Sequence, residues 1–121
     1  VIQRFYDIGI YPDWWKLEPF KSNAAWTAAC DTIAANDPHV RGIVVLGLEA
    51  STEDLAASFA MARKHDLVKG FAVGRTIFTH AAQAWFAGKM SDADAIKDMT
   101  GRFAALCAAW DAAEATKGQA A

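Results

Sequence analysis

Two stretches of this sequence put reactive side chains where the backbone favours a ligand. The first is Asp13-Trp14-Trp15-Lys16-Leu17-Glu18, a short strand pattern with a lysine at its centre. Alternation places Trp14, Lys16 and Glu18 on one face and Trp15 and Leu17 on the other. If such a lysine is desolvated its pKa falls, and the neutral amine becomes a nucleophile toward carbonyls. Schiff-base formation is the reaction this residue serves. Glu18, toward the carboxyl end of the strand, is placed to act as an acid/base or to hold the amine. A structural ion pair between Lys16 and Glu18 is the competing reading of the same two residues.

The second stretch is Val68-Lys69-Gly70-Phe71-Ala72-Val73-Gly74-Arg75-Thr76-Ile77-Phe78. An apolar run too short for a helix meets a Gly-Arg pair and then an amphipathic helical pattern. Glycine lets a ligand approach the backbone, and the first N–H groups of a helix attract anions. Arg75 adds a planar guanidinium able to grip a phosphate with two bonds. The pattern predicts a strand-to-helix phosphate clamp; an ordinary βα turn with a solvated arginine is the alternative. Gly47, ending the middle strand, is a second place where a ligand meets bare backbone. Alternation gives Lys69 a face shared with Phe71 and Val73, where it either tunes the first lysine or sits at the strand's N-terminal end, remote from chemistry. His39, His65 and His80 share no ligand spacing, so no metal is expected. His80, about one turn into the helix, reads as a surface residue. No Walker loop or dinucleotide fingerprint is present, and no cofactor is expected.

The elements that must position these residues follow one grammar. Val1 to Ile8 reads as the end of a helix, stopped at Gly9. The strand from Asp13 to Glu18 ends at Pro19. A helix from about Asn23 to Asn36 sets Ala24, Trp26, Thr27, Cys30, Ile33 and Ala34 mostly along one side, and Asp37-Pro38 breaks it. Gly42 to Leu46 is a continuous apolar run, as in a parallel strand covered on both faces. Ser51 and Asp54 form a capping box with Asp in place of the usual Glu or Gln, opening a helix to about His65 that buries Leu55, Phe59 and Ala62. The Val68 to Val73 strand leads to a helix from about Thr76 to Ala87. Ser91, three residues before Asp94, caps a last helix carrying Ile96, Met99, Phe103, Leu106 and Trp110. Trp26, Trp85 and Trp110 occupy helical stripes and are expected against the sheet. Residues 117–121 read as a frayed tail.

Strand and helix alternate, which predicts an α/β fold with a parallel sheet in a single domain over residues 1–121. Three strands do not close a barrel, which takes eight and typically about 250 residues. Apolar edges would then pair with other strands, either upstream in a longer chain or on a partner, and a homo-oligomer is expected. The start in mid-pattern without a Met predicts a piece of a longer polypeptide.

Composition narrows the function classes. Lys plus Arg is 12 and Asp plus Glu is 14, a net charge of −2 with no basic excess for nucleic-acid phosphates. No apolar stretch approaches the 18 or so residues of a membrane span, and no signal peptide opens the sequence. Cys30 and Cys107 lie in Ala-rich helical patterns without metal-ligand neighbours, so buried free thiols and a cytoplasmic location are expected.

The motifs carry a resemblance. Asp13-Trp14-Trp15-Lys16-Leu17-Glu18-Pro19 resembles the strand bearing the Schiff-base lysine in class I aldolases of the tagatose-bisphosphate type. Gly70-Phe71-Ala72-Val73-Gly74-Arg75-Thr76-Ile77-Phe78 is similar to the last barrel strand of that group and of archaeal-type fructose-bisphosphate aldolases. Together with YDIGIYPDWWKLEP and GIVVLGLEA, these stretches resemble the aldolase-like domain joined to 5-dehydro-2-deoxygluconokinase in bacterial myo-inositol catabolism. The resemblance implies the C-terminal portion, about three βα units, of a TIM (β/α)8 barrel, with further barrel and kinase segments upstream. It implies Lys16 as the Schiff-base lysine, and Gly47, Gly74 and Arg75 as phosphate-binding residues. The implied reaction cleaves 2-deoxy-5-keto-D-gluconate 6-phosphate, a phosphorylated keto-sugar, to dihydroxyacetone phosphate and malonate semialdehyde. Glu49 departs from the aldolase pattern and would repel phosphate at the seventh strand unless turned away. A non-catalytic sugar-phosphate-binding or regulatory module of the attached kinase is the alternative.

Overall fold

Short apolar runs bounded by Gly or Pro become strands, and amphipathic runs, most of them led by serine, become helices. The computed structural model describes residues 1–47 and 51–118, the side chains of Thr52 and of residues 114–118 apart. The order is α1 (Ile2–Asp7), β1 (Trp14–Leu17), α2 (Asn23–Asn36), β2 (Gly42–Val45), α3 (Thr52–Ala62), β3 (Val68–Phe71), α4 (Arg75–Phe86) and α5 (Asp92–Gly118). The fold is α/β. Residues 119–121 of the expected tail lie outside the described residues, and Lys117 and Gly118 belong to α5.

Local capping fixes where the helices begin. Ser51 Oγ accepts from the Asp54 N–H at 3.1 Å and donates to Asp54 Oδ2 at 2.9 Å. Ser91 and Asp94 repeat this at 3.1 and 2.7 Å. Ser22, which the helical pattern did not single out, accepts from the Ala25 N–H at 3.2 Å. Each such cap is worth about 0.5–2 kcal/mol. Gly9, at φ +80°, stops α1 in the left-handed region open to glycine.

The strands pair in parallel in the order β1-β2-β3. Parallel neighbours in chain order, joined by crossovers of one hand, keep their helices on one face of the sheet. On that face Trp15, Ile43, Val45 and Val68 meet Trp26 and Ile33 of α2, Leu55, Phe59 and Ala62 of α3, and Leu106 of α5. Ile33, Ile43, Val45, Leu55, Phe59 and Leu106 are fully buried, each contributing about 1.5–3 kcal/mol. Tyr6 ties α1 to the same layer by accepting the Trp15 indole N–H at 3.0 Å, and burial pushes its phenol pKa up. The opposite face is uncovered. Trp14 is 47 % exposed there and Lys16 is exposed.

Several expectations need correction. The buried stripe of α2 is Trp26, Ala29 and Ile33, while Ala24, Thr27 and Ala34 face solvent. Both cysteines are free and half-buried rather than buried, and burial raises the Cys30 thiol pKa. Lys69 does not share a face with Phe71: a bulge between Ile43 and Val44 pairs Ile43 with Val68 and Val44 with Gly70. The extra residue breaks the alternation. Phe71 stacks on Phe59 in the core, whereas the Lys69 stem lies over Gly42 beside the Trp14 ring. Gly42, at φ +152°, leaves that space; a Cβ there would fall 2.5 Å from Lys69 Cγ.

The helix after β3 also differs from the simple strand–helix grammar. α5, not α4, covers β3: Phe71 meets Phe103 and Trp110, and Trp110 meets Phe59 edge-on. α4 lies outside and packs against α5, so Trp85 is 45 % exposed rather than set against the sheet. Asp98 of α5 accepts from Arg102 Nε at 2.6 Å and sits 3.3 Å from His80 Nδ1 of α4. The Arg102 hydrogen bond holds the Asp98 carboxyl below the usual carboxylate range. A depressed folded pKa stabilises above the unfolded value, about 3.9, and the contribution is lost as pH falls through the folded value. Unfolding of Asp98→Asn beside the parent is therefore expected to show a stability gap at neutral pH that narrows as pH falls from neutral to below about 3.9. A gap constant over that range would contradict this pairing.

Candidate functional site

Parallel α/β sheets present their ligand sites at the carboxyl ends of the strands. At that end a cleft of about 260 Å³ is lined by Lys16, Leu46, Gly47, Ala72, Val73, Gly74, Arg75 and Thr76. Lys16 comes from β1, Leu46 and Gly47 follow β2, and the remainder form the β3–α4 junction. The register that pairs Lys16 with Val44 and Val44 with Gly70 sets the lysine in the row that leads into this cleft.

Four of the five residues singled out in the sequence thus line one cavity: Lys16, Gly47, Gly74 and Arg75. Glu18 does not line it. β1 ends at Leu17, so alternation stops before Glu18, which is exposed. The alternative ion pair between Lys16 and Glu18 is absent, and Lys16 is in no salt bridge among the described residues. Glu49 lies outside the described residues. Lys69 sits at the N-terminal end of β3 and is not part of the lining.

The charged side chains that line the cleft among the described residues are cationic, Lys16 and Arg75, with no carboxylate among them. Arg75 is the first residue of α4, one position earlier than the helical pattern suggested, so the guanidinium stands at the positive end of the helix. That end carries the equivalent of about half a positive charge. The N-cap residue of α4 is Gly74, which makes no side-chain cap, unlike the serines that lead α2, α3 and α5; Gly74 O accepts from the Ile77 and Phe78 N–H groups at 2.8 and 3.1 Å. Thr76, Val73, Leu46 and Ala72 also line the cleft without having been singled out. For Thr76 the signal was available: a hydroxyl in the first turn after a Gly-Arg pair.

Gly47 has a packing reason beside any contact with a ligand. A Cβ on it would come within 2.7 Å of Val73 Cγ1, so the ends of β2 and β3 close over one another only with hydrogen at this position. Gly70, in the row of Lys16 and Val44, has nothing within 4 Å of such a Cβ. His80, one of three histidines without ligand spacing, is tied to Asp98 instead of lining the cleft. Among the described residues no group of three or more His, Cys, Asp or Glu side chains is placed to hold a metal ion. No helix among them is long and apolar enough to cross a membrane.

Gly47→Ala is expected to cost about 1–3 kcal/mol in urea unfolding, because Val73 must move. Gly70→Ala is expected to be neutral or stabilising by up to about 1 kcal/mol through the unfolded chain. Equal effects of the two substitutions would remove the packing role given to Gly47.

None of the curated proteins and none of the solved structures compared with the chain matches it. One family model, described as "Uncharacterized protein conserved in bacteria (DUF2090)", matches residues 1–114. That span takes in the whole sheet, the cleft and nearly all of α5 that the structure describes. By this match over most of its length, the chain belongs to this bacterial family, DUF2090.

Proposed function

We propose that this chain is the C-terminal portion, about three βα units, of a TIM (β/α)8 barrel, and that Lys16 is the Schiff-base lysine of a class I aldolase. The observation that carries the reading is the meeting of Lys16 and Arg75 in one small cleft at the carboxyl ends of the strands. The scaffold reading is supported by the β1-β2-β3 order with the sheet-covering helices on one face. A short helix set outside the layer, with its N-terminus at the end of the last strand, is also the arrangement that barrels use for phosphate. α4 has that position.

The proposed substrate is 2-deoxy-5-keto-D-gluconate 6-phosphate. Arg75, Thr76 and the Gly74 backbone hold its phosphate, and Gly47 leaves room at the end of the neighbouring strand. The Lys16 amine adds to the ketone carbon and water leaves, giving a protonated imine. The proton of the hydroxyl two carbons away passes to solvent, since Glu18 does not line the cleft. As the carbon–carbon bond breaks, malonate semialdehyde departs and the bond's electron pair moves into the iminium, leaving an enamine. Protonation of that enamine and addition of water release dihydroxyacetone phosphate and the free amine. The iminium does the polarising that a metal does in other aldolases.

A second reading has its own observation. Lys16 is exposed on the uncovered sheet face, and the cleft is smaller than the roughly 300–1,000 Å³ of sites that enclose a whole drug-sized ligand. On that reading the chain is a sugar-phosphate-binding or regulatory module of an attached kinase, without catalysis. Borohydride reduction in the presence of the keto-sugar phosphate separates the two. The aldolase reading predicts a covalent adduct on the Lys16 peptide and none in Lys16→Met. Arg75→Ala is expected to reduce capture of the phosphorylated sugar about ten- to a hundredfold and to spare the unphosphorylated one. Cleavage by the 121-residue chain alone is expected to be absent. An adduct on another lysine, or none, would end the catalytic reading.

A further inference from the structure

The anion cleft depends on where the first turn of α4 stands, and α4 is held chiefly by α5. The seat between them is made of small side chains: Ala81 is fully buried and Ala95 nearly so. Alanines allow close approach but supply no knobs to fix how far one helix slides along the other. Ile77, which packs against the core, and two polar ties do that. His80 Nδ1 lies 3.3 Å from Asp98 Oδ2, and the Trp85 indole N–H donates to Asp92 Oδ1 at 2.6 Å. The later residue of α4 pairs with the earlier residue of α5, so the two ties lie at separate points along an antiparallel pair. Asp98 is itself held by Arg102, at 2.6 Å from Nε and 3.5 Å from Nη2. His80 lies five residues after Arg75, about 7.5 Å along the axis. A shift at one end of so short a rod moves the other.

We propose that Asp98 and His80 are positioning residues for the cleft: braced by Arg102, Asp98 holds α4 through His80 in the register that presents Gly74, Arg75 and Thr76 to a phosphate group. This rests on reading the cleft as a phosphate grip. Neither residue touches the ligand. His80 is on the exposed side of α4, and Asp98 is on another helix. Because the tie is partly exposed to water, its effect is small, about two- to fivefold in affinity.

The probe is inorganic phosphate, titrated into the full chain and followed at the backbone amides of Gly74 and Thr76. His80→Ala and Asp98→Asn are each expected to weaken binding about two- to fivefold, and His80→Gln, which keeps a donor for Asp98, to restore it. The sign for Asp98→Asn discriminates mechanisms. If the imidazole acted on the anion directly, removing a nearby negative charge would tighten binding. Tighter binding by Asp98→Asn, unchanged affinity in both variants, or no phosphate binding by the parent would overturn the positioning role. Imine trapping at Lys16 is read separately: its failure beside tie-dependent phosphate binding removes the aldolase and leaves the tie. Normal trapping beside tie-independent binding does the reverse.

Discussion

The constraint on which the rest depends is the hand of the crossover between parallel strands. With β1, β2 and β3 adjacent in chain order, each connection returns on the same side. The core therefore forms on one face, from Trp15, Ile43 and Val45 against α2, α3 and α5. Side chains of the other parity, Trp14 and Lys16 among them, are left on the open face. The strand ends then become the place where a cation on β1 and a cation after β3 approach one cavity. Neither residue needs to be near the other in sequence.

Backbone economy at the strand ends shapes that cavity. Gly47 lets Val73 close over the end of β2, and Gly74 starts α4 without a side-chain cap. The helix end faces outward because α5 has taken the layer position against Phe71 and pushed α4 aside. Exposed large hydrophobics fall at the two flanks: Phe5, Ile8, Ile10, Tyr11 and Trp14 on one side, and Phe78, Trp85, Phe86, Ile96 and Phe103 on the other. Among the described residues from β2 through β3, no large hydrophobic side chain is exposed. This distribution suits a sheet whose middle is finished and whose edges accept neighbours, as the barrel proposal requires.

Much of this was legible in the residues. The three apolar runs gave the strands, and Ser51 and Ser91 gave two helix starts, because strand and cap signals are local. That Lys16, Gly47, Gly74 and Arg75 meet at one end of the sheet was legible as well, since strand and turn signals place them there. What escaped has a tertiary cause. Alternation failed at Lys69 because a bulge is decided by the partner strand. Periodicity could not tell that the long α5 would displace α4 from the sheet, for both carry apolar stripes. Glu18 looked like a companion of Lys16 only as long as the strand was taken to run one residue further than it does.

The central claim is that the Lys16 amine and the Arg75 guanidinium serve one anion-binding cavity. A crystal of the full chain soaked with inorganic phosphate tests it most directly. The account predicts density for the ion among Gly74, Arg75 and Thr76, on the side of the cleft that Lys16 faces. An ion held instead by Lys64 and Lys69 at the other end of the sheet, with the cleft left to solvent, would contradict it.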